Sequence, residues 1–145
     1  MTDVRPIYET PENRAAEAEI AAVIERTWSC KLHKLPLHYK LDYAACKHDQ
    51  LIGWVETKRR LINRDTFEEI YLSLIKVMAA HTLHSITGKR CFFIVQFNDC
   101  LAYANILGER TVTFGGRTDR GDWQDGEPLV LIPNSDFTVI QPRGS

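Results

Sequence analysis

Leu51-Ile52-Gly53-Trp54-Val55-Glu56-Thr57-Lys58 is the stretch on which the fold turns. Leu51, Ile52, Trp54 and Val55 make it apolar on both faces, as in a strand covered on both sides. Glu56 and Lys58 close it at i, i+2 spacing, so both point to the same side of a sheet. Unpaired charges beside a core are costly, so two charges here are expected to have a task. Upstream, residues 37–45 alternate, with Tyr39, Leu41 and Tyr43 on one face and His38, Lys40, Asp42 and Ala44 on the other. Lys47-His48-Asp49-Gln50 is a polar turn. Residues 37–58 therefore read as a β-hairpin able to bring Asp42 beside Glu56 and Lys58.

Before the hairpin, Thr10-Pro11 reads as an N-cap followed by proline at the first helical position. Acids at positions 9, 12, 17 and 19 suit the positive end of a helix dipole. Ala16, Ile20, Val23, Ile24 and Thr27 share one face, with Trp28 at its edge, which predicts a helix over about 11–28. Cys30 to Leu35 reads as a strand closed by Pro36. After the hairpin, Asp65-Thr66 caps an expected second helix, about 66–85, with an apolar stripe of Phe67, Ile70, Tyr71, Leu74, Ile75 and Met78. Gly88 ends that unit. Cys91 to Phe97 is β-branched and aromatic, a central strand; strands follow around 100–107, at 111–114 and at 129–132.

The chain of 145 residues has the size of one domain, with 44% hydrophobic and 26% charged residues. No apolar run approaches the roughly 20 residues that span a bilayer. Met1 to Pro6 has no apolar core and no cleavage signature, so a secretory leader is not expected and the cytoplasm is the default compartment. The four cysteines form no CxxC pair, which fits a reducing compartment. Net charge is −1, which argues against a general polyanion binder, yet the charge is segregated. Residues 1–25 carry −4, residues 26–64 carry +6 and residues 65–145 carry −3. A basic middle segment around the hairpin can steer a phosphate backbone towards it.

Two carboxylates converging at a sheet surface make a hard-cation site, and Mg²⁺ prefers such oxygen ligands. A neighbouring lysine can hold an attacking water or neutralise charge developing on a phosphate. Metal-assisted phosphodiester hydrolysis needs this set of groups. Arg59, Arg60 and Arg64 follow directly and suit phosphate contacts, or else a solvated face. Other patterns fail. Gly116 and Gly121 have P-loop spacing, but Asp122-Trp123 follow in place of Lys-Ser/Thr. His81 and His84 lack a carboxylate partner at motif spacing. Cys30, His33, Cys46 and His48 match no standard zinc spacing.

Asp42 followed by Glu56-Thr57-Lys58, in the order helix, strand, strand with Asp, strand with Glu-x-Lys, helix, resembles the PD-(D/E)XK nuclease superfamily. The resemblance covers about residues 11–97. Leu41 stands where the family name has proline. Trp54 to Arg60, a following helix with Tyr71 and Lys76, and the tail Gly116-Arg117-Thr118-Asp119 are similar to small phage-encoded members. The resemblance implies a restriction-endonuclease-like α/β fold, with a central mixed sheet of four to five strands flanked by helices. It implies that Asp42, Glu56 and the backbone carbonyl of Thr57 bind a divalent metal, with Lys58 beside them. A further acid often comes from the first helix. Glu17 lies roughly 60° from the centre of its apolar stripe and Glu19 roughly 100°, so Glu17 is the better placed. Lys76 resembles a lysine of the phage members and joins the arginines as a DNA-contact candidate, whereas Tyr71 is expected in the core.

These readings give one domain over residues 1–145, with a core at 11–97 and C-terminal strands and a polar loop at 98–145. They predict a Mg²⁺-dependent deoxyribonuclease, with Mn²⁺ as a substitute, an endonuclease acting as a homodimer on duplex or branched DNA. The alternatives are a non-catalytic nucleic-acid binder on the same fold, or an assembly protein using the basic segment as an interface.

Overall fold

The computed structural model describes residues 11–115 and 126–142. Helix α1 spans Pro11–Trp28 and packs Ile20 and Ile24 against the sheet, while Thr27 is exposed rather than part of the buried stripe. The expected cap Thr10 and the tail Gly116–Asp119 lie outside the described residues. Strands β1 (Lys31–Lys34), β2 (Tyr43–Lys47) and β3 (Gln50–Arg59) follow, then β4 (Glu69–Ser73), helix α2 (Leu74–Thr87), β5 (Arg90–Gln96), β6 (Cys100–Asn105), β7 (Thr111–Gly115), β8 (Glu127–Pro133) and β9 (Thr138–Pro142).

Among the described residues, six strands form a mixed sheet in the order β1-β2-β3-β5-β6-β9, and β4-β8-β7 form a second, antiparallel sheet. The expected four to five strands thus become six, because β9 was not foreseen. The β2–β3 turn is tight: His48 (φ 51°) and Asp49 (φ 61°) both adopt the left-handed conformation that a two-residue hairpin demands. β3 then runs parallel to β5, with Glu56 opposite Phe93 and Lys58 opposite Val95. At Gly53 a Cβ would meet the Arg90 carbonyl and the Phe92 ring, each at 3.1 Å, so a side chain there would strain this central pairing.

The two faces of the sheet bury separate clusters. Val55, Ile94, Tyr43 and Leu101 pack under α1. Trp54, Phe93, Val95 and Phe97 pack towards α2 and the second sheet, together with Val77, Ala80, Ile70, Leu72, Val130 and Ile132. Strand β3 is covered on both faces from Gly53 to Thr57, whereas Ile52, expected in the apolar run, is 40% exposed. Trp54 Nε1 also donates to Thr87 Oγ1 at 3.1 Å, tying the strand to the end of α2. Gly88 closes α2 at φ 70°, its N–H bonded to the His84 carbonyl at 2.7 Å.

Two expected elements are corrected. Residues 37–39 form a 3-10 turn and Lys40 is left-handed at φ 68°, so β2 begins only at Tyr43 and Asp42 sits at the bend before it. Pro36 begins that turn, which leaves Leu37 and Tyr39 exposed. Residues 69–73 are strand and not helix. Ile70 and Leu72 are buried while Glu69 and Tyr71 are exposed, a period of two. The spacing of Ile70, Tyr71 and Leu74 also fits a helix, and β8, distant in sequence, supplies the partner that decides for a strand. Helix α2 therefore starts at Leu74, and its buried residues are Val77 and Ala80, with Ile75 and Met78 exposed. Among the described residues no helix is long and apolar enough to cross a membrane.

Candidate active site

The antiparallel register Tyr43↔Val55 puts Asp42 one step on, across from Glu56. Its backbone is fixed on both sides: Asp42 N–H donates to the Val55 carbonyl at 3.0 Å, and Leu35 N–H donates to the Asp42 carbonyl at 2.8 Å. The side chain is held as firmly. Asp42 Oδ2 accepts from Thr57 N–H at 2.8 Å and from Thr57 Oγ1 at 2.9 Å. These two bonds leave Oδ1 as the oxygen available to other partners.

Glu56 is buried, with 4% of its surface exposed. Lys76 Nζ, from α2, lies 2.9 Å from Glu56 Oε2. Glu56 Oε1 is buried with no hydrogen-bond partner. Burial first, then the Asp42 charge, pushes the Glu56 carboxyl up to about 8, against the opposing pull of Lys76. Lys58 is exposed as a residue and ion-pairs with neither acid. Loss of hydration, then the Arg60 charge, holds its ammonium below the usual lysine range.

Glu17, Asp42, Glu56, Thr57, Lys58, Arg59 and Lys76 line one cavity of about 300 Å³. The cavity thus gathers Glu56 and Lys58 from the inner strand β3, Asp42 from the bend before β2 and Glu17 from α1. Glu17 borders the cavity while Glu19 is exposed. The Glu17 carboxylate is engaged by Lys34 Nζ, which also lies 3.7 Å from Asp42 Oδ1. Lys34 was not singled out in the sequence; as one charge in an exposed β1 pattern it carries no local signal, and only the packing of α1, β1 and the Asp42 bend reveals it.

The other cations divide. Arg59 is exposed and lines this cavity. The Arg60 guanidinium lies over the Tyr71 ring, 4.2 Å from its centre, and donates to the Tyr71 carbonyl at 3.3 Å. Tyr71, expected in the core, is 44% exposed beneath it, because its strand turns that face outward. Arg64 Nη1 donates to Asn134 Oδ1 at 2.9 Å, which commits it to bracing a loop. Lys76, expected as a DNA contact, lines the cavity and pairs with Glu56.

A buried carboxylate oxygen with no donor, raised further by a second carboxylate, has the donor chemistry of a divalent cation site. Among the described residues no group of three or more His, Cys, Asp or Glu side chains could hold an ion. The carboxylates of Asp42 and Glu56 offer the oxygen donors that Mg²⁺ prefers, an ion that commonly completes its shell with water.

A family model described as "Phage putative PDDEXK endonuclease" matches residues 3–140. No protein of curated function matches the sequence. Among solved structures, the chain is similar to Hjc of Archaeoglobus fulgidus, a Holliday junction resolvase, with a TM-score of 0.59 and 14% identity over 86% of this chain and 85% of that one. At that identity the likeness is one of fold.

Proposed function

The chain belongs to the phage PDDEXK endonuclease family and is a metal-dependent nuclease; on that footing we propose that it hydrolyses DNA with Mg²⁺ held by Asp42 and Glu56. The observation that carries this reading is the buried, donor-less Glu56 Oε1, in one cavity with Asp42 and Lys58. By the family resemblance, the Thr57 carbonyl would complete the protein's ligand set. Bound there, the ion supplies Lewis acidity and makes water a better nucleophile at neutral pH.

The chain's own groups do the rest. Thr57 fixes the orientation of the Asp42 carboxylate through two hydrogen bonds to Oδ2, which aims Oδ1 into the cavity. Lys58, bound to neither acid, is free to meet charge developing on the scissile phosphate or to hold the attacking water. Arg59 at the rim contacts the backbone of the bound strand. Glu17 borders the site and acts on it through Lys34.

We infer a single domain, because the second sheet shares the buried cluster of the first. The chain works as a homodimer on branched or duplex DNA in the cytoplasm of a phage-infected host; a fold shared with a junction resolvase supports the branched substrate. The test is incubation with linear, circular, single-stranded and four-way-junction DNA plus Mg²⁺ or Mn²⁺. Cleavage of at least one form, abolished by chelation, is expected. DNA binding without cleavage of any form would favour a non-catalytic binder.

A further inference from the structure

Asp42 Oδ2 is spent on Thr57, so a cation approaching Asp42 must use Oδ1. Among the described residues one cation already stands there: Lys34 Nζ, 3.7 Å away. The same ammonium pairs with Glu17 Oε1 and lies 5.3 Å from the centre of the Tyr43 ring. Three elements therefore converge on it, α1 through Glu17, β1 through Lys34 itself and the bend before β2 through Asp42. Lys34 remains 43% exposed, so its ammonium is open to water while it holds these contacts.

We propose that Lys34 is a positioning residue that acts as the resident counter-cation of Asp42, and that its withdrawal sets the affinity of the site for a divalent ion. The inference rests on the reading of Asp42 and Glu56 as the metal ligands. Without the ion, Lys34 shares its single positive charge between the carboxylates of Asp42 and Glu17 and holds both in place. An ion at Oδ1 meets the repulsion of a positive charge a few ångströms away, so uptake requires the ammonium to move off. Glu17 then serves as the second anchor that keeps the displaced lysine near the mouth of the cavity.

A partly exposed ion pair adds little to stability, so a purely structural Lys34 would leave metal affinity unmoved. The test is calorimetric titration of Mn²⁺, without DNA and at fixed ionic strength, into the full chain and its variants Lys34→Met, Lys34→Gln, Lys34→Arg and Asp42→Asn. Both neutral Lys34 variants should bind Mn²⁺ about three- to tenfold more tightly, given a solvent-screened charge at this range. Lys34→Arg should return affinity to near wild type. Equal or weaker binding by both neutral variants, while Asp42→Asn loses affinity, overturns the role of Lys34 and leaves the metal site standing. Failure of the wild type to bind Mn²⁺, or undiminished binding by Asp42→Asn, overturns the metal-site reading and this inference with it.

Discussion

Lys76 Nζ lies 2.9 Å from Glu56 Oε2, so the most deeply buried acid of the cavity is paired with a lysine delivered by α2. One ammonium satisfies one oxygen. The other, Oε1, is buried without a donor. A half-satisfied buried carboxylate is destabilising, and such groups persist where function requires them.

This arrangement predicts a pH-dependent stability for the metal-free chain. The Glu56 carboxyl is raised to about 8 in the folded state, from an ordinary value of 4.5. The folded chain therefore holds its proton where the unfolded chain has lost it. The resulting stability is complete below about pH 4.5 and is lost as pH rises towards 8. Melting in the presence of a chelator should show Glu56→Gln gaining on wild type across this window, with the gap levelling above it. A constant gap at every pH would show that Glu56 does not titrate there.

Metal uptake should run the other way with pH. A proton must leave Glu56 before its carboxylate can serve as a ligand, so affinity for Mn²⁺ should climb up to about pH 8 and then flatten. For a single competing proton the rise approaches tenfold per pH unit well below that point. Calorimetry at several pH values, in buffers of different ionisation enthalpy, measures both the rise and the proton released. Flat affinity between pH 6 and 8, with no proton release, would contradict it.

Much of this site was legible in the sequence, for identifiable reasons. β3 announces itself because a strand covered on both faces must be apolar throughout, and Glu56 and Lys58 then stand out against it. α1 was legible along its described length to its end at Trp28, since an amphipathic helix carries its own periodicity. The rest depended on distant partners. Tyr71 reads as helical until β8 pairs with its strand. Lys76 reads as a surface base until α2, starting later than expected, turns it towards Glu56. Lys34 has no signature in its own neighbourhood. β9 was missed because Thr138–Pro142 is short and mostly exposed, with little burial pattern to mark it.

Lys58 and Asp42 should fail differently when changed. Lys58→Ala removes a group that touches neither acid, so Mn²⁺ affinity should hold while cleavage falls about 10²–10³-fold. Asp42→Asn keeps an oxygen able to accept from Thr57, so the hairpin stays intact, but it removes a ligand charge. Metal affinity and cleavage should then fall together. Metal-free DNA binding should survive both changes. Cleavage by Lys58→Ala at the wild-type rate would remove Lys58 from the chemistry.

Arg59 and Arg64 were alike in the sequence, and the structure separates what their loss should do. Arg59 is exposed at the cavity rim, and no acid lies within ion-pairing distance of it among the described residues. Arg59→Ala should leave the melting temperature nearly unchanged. It should weaken metal-free DNA binding and reduce the slope of log affinity against log salt by about 1, the signature of one lost phosphate contact. Arg64 is committed elsewhere. Its guanidinium donates to Asn134 Oδ1 at 2.9 Å, and its backbone N–H donates to Asp99 Oδ1 at 2.9 Å. Asn134 Nδ2 in turn donates to the carbonyls of Arg64 and Phe67, stitching the segment after β3 to the turn before β9. Arg64→Ala leaves the Asn134 oxygen without its donor in a half-buried place, at a cost of about 1 kcal/mol. Its melting temperature should fall by several degrees, as expected for a domain of this size, while the salt slope stays at the wild-type value. Filter binding across a salt series and a thermal melt on the two variants decide the matter. A reduced slope for Arg64→Ala with unchanged melting would return Arg64 to the DNA-contact surface and remove it from the brace.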